Sequence, residues 1–189
     1  MKKIIKGKRV ILRPLCDNDA SFFAHWYNHP EVMFQCGFHE PTTLKIELDN
    51  IQKPETSERD WYAVTTNDGK LIGETGLLRL WAHWFTTDLS IIIPDPEDQR
   101  QGFGSEAVQI MLDRAFNYYN LNRVAIGVVA LNKKALTFYE KLGFKGEGIQ
   151  EQGYYHNGSF SDFIMMRILK SEYNQTIMEG SCPHPNKKS

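Results

Sequence analysis

The stretch TTDLSIIIPDPEDQRQGFGSEAVQIMLDRAFNYYNLNRVAIGVVA, residues 86–130, decides the fold. In its first part Leu89, Ile91 and Ile93 alternate with Asp88, Ser90 and Ile92, the period of a strand with two unlike faces. Val108, Met111, Leu112, Ala115, Phe116 and Tyr119 then recur at helical spacing, which predicts an amphipathic helix. RVAIGVVA, residues 123–130, is almost continuously apolar and reads as a buried strand. Two strands joined through a helix must lie parallel, because only antiparallel neighbours can be joined by a short turn.

The flanking sequence supplies antiparallel partners. Asn67-Asp68-Gly69-Lys70 separates WYAVTT from LIGETGLLRLWAHW, and Asn157-Gly158 separates FKGEGIQEQGYYH from SFSDFIMMRIL; both are hairpin signals. Near the start, RVILRPL alternates as a strand, and DNDASFFAHWYN predicts a helix with Asp17 at its N-cap. A further helix is expected from Thr43 to Gln52, with Leu44, Leu48 and Ile51 on one face and Pro54 ending it. Asn132 is placed to cap a helix over 133–142 that Gly143 terminates. The order βααβββαβαββ predicts a mixed α/β fold of the α+β kind, one mostly antiparallel sheet with a single parallel pair and helices on both faces. One domain over 1–169 is expected, with 170–189 as a loosely held tail.

The chain has 189 residues, 41% hydrophobic and 24% charged, with 22 Lys plus Arg against 23 Asp plus Glu. That suits one soluble core and lacks the cationic excess used to bind nucleic acid or anionic membrane. No apolar run approaches the ~18 residues that span a bilayer, so a cytoplasmic protein is expected. Three cysteines, Cys16, Cys36 and Cys182, have neither disulfide-framework nor zinc-ligand spacing, so no metal is expected.

Gln99-Arg100-Gln101-Gly102-Phe103-Gly104 lies between the strand and the helix. Glycines there let the backbone curl into a row of N–H groups, and the helix N-terminus adds partial positive charge, a combination that holds a diphosphate without a metal. A ligand-free strand-to-helix turn explains the same spacing. Gly102-x-Gly104-x-x-Ala107 also fits a dinucleotide fingerprint, but the next strand ends in Ala130-Leu131-Asn132 where an acidic residue is required. No Gly-Lys-Ser/Thr follows, which disfavours a phosphate-loop nucleotidase.

Gln99-x-x-Gly102-x-Gly104, followed by Asn132-Lys133-Lys134-Ala135 and Phe138-Tyr139-Glu140-Lys141-Leu142-Gly143-Phe144, resembles the GCN5-related N-acetyltransferase (GNAT) superfamily, in the branch of ribosomal-protein N-terminal and spermidine acetyltransferases. The resemblance implies acetyl-CoA as co-substrate, with its diphosphate on the amides of Arg100, Gln101, Gly102, Phe103, Gly104 and Ser105. The pantetheine arm would pair with Ile91, Ile92 and Ile93, where the parallel strands splay, and Asn132, Ala135 and Lys141 would complete the site. Tyr139 matches the family's tyrosine near the coenzyme sulfur, a candidate general acid, although Ala135, Phe138, Tyr139 and Leu142 also make an ordinary packing stripe. Asp88 is the first candidate base and Glu74 the second.

The acceptor is expected to be a small-molecule amine or a peptide N-terminus, bound by Trp26, Tyr27, Glu40, Glu74 and Tyr154, with Phe38, Tyr155 and Asp162 nearby. Phe38-His39-Glu40-Pro41 resembles the Phe-Glu-Glu-Pro of spermidine acetyltransferases, with His39 in place of the first glutamate. A catalytically silent acyl-CoA-binding module is the alternative from another class. A homo-oligomer is compatible with either reading.

Overall fold

A computed structural model describes residues 3–53 and 58–173. The strands are β1 (Ile5–Lys6), β2 (Val10–Arg13), β3 (Arg59–Thr66), β4 (Leu71–Trp81), β5 (Thr86–Ile92), β6 (Arg123–Val129), β7 (Lys145–His156) and β8 (Ser159–Leu169). They form one sheet in the order β1-β2-β3-β4-β5-β6-β8-β7. All neighbours are antiparallel except β5 and β6. The helices are α1 (Ala20–Trp26), α2 (Pro30–Cys36), α3 (Leu44–Gln52), α4 (Phe103–Asp113) and α5 (Lys133–Lys141). The mixed α/β architecture with one parallel pair is therefore the one expected.

Both hairpin turns form as their sequences require. Gly69 has φ 92°, and Asn157 and Gly158 have φ 48° and 80°, the left-handed pair of a type I′ turn. Thr43 caps α3 through Ile46 N, and Asn132 caps α5 through Ala135 N at 3.0 Å. Gly143, at φ 91°, follows the end of α5.

The sheet is covered on both sides. Ala107, Val108, Met111 and Leu112 of α4 and Tyr139 of α5 pack with Leu89, Val124, Ile126 and Ile168 in the main core. Phe23, Tyr27 and Val32, from α1 and its surroundings and from α2, form a second core against Leu71 and Ile92. Leu89 and Ile91 belong to the first core and Ile92 to the second, the alternation β5 was expected to show.

Several local expectations are corrected. Asp17 opens a 3-10 turn, Asp17–Asp19, and α1 begins only at Ala20. Helix α2 was not anticipated, although Pro30 stands in its first turn and Gly37, at φ 75°, follows it, the usual helix start and stop. In α3, Leu44 is exposed and Glu47 faces inward, so the expected apolar face is rotated; Pro54 lies outside the described residues. The tail is anchored at its start, since Tyr173 packs on Phe116 and Glu172 pairs with Lys145 at 2.8 Å and Arg167 at 2.7 Å. Residues 174–189 lie outside the described set. Among the described residues no helix is long and apolar enough to cross a membrane.

Candidate active site

Strands β5 and β6 pair only over Thr86, Thr87 and Asp88 with Arg123, Val124 and Ala125. Beyond them β5 stays bonded to β4 as far as Ile92, and β6 to β8 as far as Val129. The facing edges separate and leave backbone donors and acceptors open to a ligand that can lie between them as a strand. The opening is a cleft of about 980 Å³, lined by Leu89–Ile93 on one side, Ile126–Val129 on the other, and α5.

The glycine loop closes one end. Its base is held by Gln99, whose Nε2 donates to the Ile93 carbonyl at 2.9 Å, and by the buried Asp98, paired with Lys70 at 2.7 Å. Arg100 and Gly102 are both left-handed, at φ 61° and 84°, so the chain curls before α4 starts at Phe103. The N-terminus of α4 thus meets the cleft with partial positive charge, the environment of a diphosphate.

Tyr139 lines the cleft from α5 and is 8% exposed, packed edge-on against Phe138 and Phe144. Its hydroxyl has no hydrogen-bond partner among the described residues. Burial pushes the phenol pKa well above its ordinary value, so the hydroxyl is protonated at neutral pH. Cys36, at the end of α2, also lines the cleft. Burial first, and the Glu74 carboxylate second, push its thiol up to about 12. A protonated thiol is a poor nucleophile, which argues against an acyl-enzyme on this residue.

A second pocket of about 650 Å³ lies between α1, α3, the 37–43 segment and the β3–β4 face. Phe38 lines both cavities, and its ring stands 4.9 Å from that of Tyr27. Glu40, Glu47 and Glu74 face this pocket together with Arg59. Glu74 lies on β4 directly across from Ile92. Tyr27 donates its hydroxyl to Glu74 Oε1 at 2.5 Å, and Trp61 donates Nε1–H to Oε2 at 2.7 Å. Burial raises the Glu74 pKa, partly offset by those two bonds and by Arg59. The phenol of Tyr27 is itself raised far above the usual range by burial and by the carboxylate it faces.

The profile of the acetyltransferase (GNAT) domain matches residues 9–145. The chain belongs to the GNAT family. It is 30% identical over 170 residues to spermidine N(1)-acetyltransferase of Vibrio cholerae serotype O1, covering 88% of this chain and 96% of that one. The Escherichia coli K12 spermidine N(1)-acetyltransferase is also 30% identical, over 87% of this chain and 88% of its own. The crystal structure of a Vibrio cholerae spermidine N-acetyltransferase in complex with CoA and spermine superposes with a TM-score of 0.78 at 29% identity, covering 89% of this chain and 99% of that chain. This GNAT protein is accordingly an N-acetyltransferase that uses acetyl-CoA.

In this GNAT protein, Ile91, Ile92, Ile93, Arg100, Gly102, Gly104, Ser105, Asn132, Ala135, Tyr139 and Lys141 all line the cleft between β5 and β6. Gln101 and Phe103 turn their side chains away. Gln101 Nε2 donates to the Glu97 carbonyl at 2.5 Å, and Phe103 packs on the main core. Tyr27, Glu40 and Glu74 line the second pocket.

Three expected placements are not met. Asp88 sits at the closed end of the splay, ion-paired with Arg79, outside both cavities. Trp26 is half-buried at the edge of the second core, beside Phe22, His25 and His29, and lines neither cavity. Tyr154 is buried and donates its hydroxyl to the Phe34 carbonyl at 3.0 Å, tying β7 to α2. Asp162 is likewise absorbed structurally, accepting from Gln152 N at 2.8 Å across an irregularity in β7. Glu47, Arg59 and the position of Phe38 at the junction were missed. The only sequence signal for Glu47 was an acidic residue in the first turn of α3, the ordinary place for one.

Proposed function

We propose that this GNAT protein transfers the acetyl group of acetyl-CoA to a primary amine of a small polycation by direct attack on the thioester. One observation carries the reading: a pocket whose described lining presents Glu40, Glu47 and Glu74 together with Arg59 and His39 adjoins the donor cleft at Phe38. Carboxylates in excess attract a cation and hold its remote ammonium groups, while one nitrogen reaches toward the thioester. The relatives named as spermidine acetyltransferases support the same acceptor class.

The chemistry follows from the groups present. The attacking amine must lose a proton, and Glu74, in its ionised form, is the carboxylate in the second pocket that lies across from the splayed strand. The tetrahedral oxyanion is assigned to a backbone N–H near Ile91 or Ile92 on the splayed stretch of β5, a donor fixed in place by the strand. As the carbon–sulfur bond breaks, Tyr139 gives its proton to the departing thiolate. The pKa-raising burial of Cys36 favours this single-step route over a ping-pong one.

The test is product identification. Mass spectrometry after incubation with acetyl-CoA should find acetylated spermidine or spermine. Acetylated peptide N-termini with unmodified polyamines would instead favour the protein-acetyltransferase reading, and coenzyme binding with no product on any amine would favour a silent acyl-CoA module.

A further inference from the structure

The turn between β1 and β2 is fastened to the start of α4. Glu106 accepts from the backbone N–H of Lys8, and both its carboxylate oxygens lie 3.1 Å from the N–H of Arg9. A side chain at Gly7 would collide with the same carboxylate, so the close approach depends on that glycine. From this anchored turn the Arg9 guanidinium reaches over the glycine loop. Its Nη1 donates to the Gln101 carbonyl at 2.8 Å and stands 3.2 Å from where a Cβ on Gly102 would lie.

In a trans peptide the carbonyl and the following N–H point in opposite directions. Holding the Gln101 carbonyl toward Arg9 therefore turns the Gly102 N–H away from Arg9. Gly102 lines the cleft, and Arg9 is not among the residues that do. A flip of this one peptide would present a carbonyl to the diphosphate in place of a donor. Gly102 tolerates either orientation, because glycine pays little for a change of φ. The loop's other side-chain bonds, Gln99 to Ile93 and Gln101 to Glu97, hold different peptides.

We propose that Arg9 is a positioning residue of the donor site, a latch that keeps the Gln101–Gly102 peptide oriented with its N–H toward the coenzyme diphosphate. The proposal rests on acetyl-CoA as donor and is independent of the acceptor, so its test is read with no amine present.

The full chain and its Arg9→Ala and Arg9→Lys variants are titrated with coenzyme A by calorimetry. Pantetheine, which lacks the diphosphate, is titrated by ligand-observed NMR. Arg9→Ala should raise the coenzyme A dissociation constant by about 10-fold, the loss of one well-oriented charged-group hydrogen bond, and leave pantetheine binding unchanged. Arg9→Lys should recover part of the loss. The defect should persist in about 0.5 M salt, where a screened charge contact would fade. Equal weakening of both ligands, no weakening, or a defect that disappears in salt would overturn the latch.

Discussion

The Tyr27 hydroxyl and the Glu74 carboxylate, 2.5 Å apart, join the second core to the floor of the acidic pocket. With Trp61 on the other oxygen, Glu74 is oriented from two sides while its charge remains uncancelled by any ion pair among the described residues. Glutamine at this position preserves the pattern: its oxygen accepts from Trp61, and its NH₂ donates to Tyr27, whose hydroxyl can serve as acceptor. Glu74→Gln should thus keep the melting temperature near that of the parent and raise the acceptor KM by at least about 10-fold, as expected when a buried charge contact is lost. Steady-state kinetics with calorimetric melting checks both; an unchanged KM would remove Glu74 from the acceptor site.

The same carboxylate sets a pH dependence. Glu74 must be ionised to hold a cation or receive a proton, and burial raises its pKa. The acidic fall in kcat/KM for the amine should therefore lie above the ordinary carboxylate range and should be absent from the pH profile of Glu74→Gln. An identical acidic limb in both proteins would assign it to another group.

Tyr139→Phe keeps the ring that packs on Phe138 and Phe144 and removes only the hydroxyl, which bonds to no described residue. Turnover should fall by about 10²-fold or more, with acetyl-CoA affinity and folding stability almost unchanged. Retained turnover would leave Tyr139 a packing residue.

Asp88→Asn breaks a partly exposed pair with Arg79 and nothing in either cavity. We expect kcat within about 2-fold of the parent and a stability change of about 0–1 kcal/mol. A collapse of kcat without unfolding would return Asp88 to the chemistry.

The reasons some residues were legible and others not are local. The parallel pair, the glycine loop and Asn132 follow from short-range rules, namely periodicity, positive φ and side-chain capping, and each stands where residues 86–135 imply. Asp88 was misplaced because period-two alternation assigns a face and not a partner. The register of β4 shifts between Leu78 and Trp81, with Arg79 at φ 50°, and the Arg79 guanidinium reaches Asp88. Glu47 was missed because a buried carboxylate is indistinguishable in sequence from a solvated one in a first helical turn. Tyr154 was an aromatic residue on the right element whose orientation depends on α2, through its bond to the Phe34 carbonyl, and α2 is signalled only by Pro30 and Gly37.

A panel of amines tests the polycation assignment most directly. Thiol release from acetyl-CoA is followed with spermidine, spermine and a simple alkyl monoamine. Because the pocket offers several carboxylates to the charges a polyamine carries beyond its reacting nitrogen, kcat/KM for spermidine should exceed that for the monoamine by at least about 10-fold, the effect of roughly 1.4 kcal/mol of added binding. That preference should shrink as salt rises. Equal kcat/KM for the monoamine and the polyamines, or turnover confined to peptide N-termini, would contradict it.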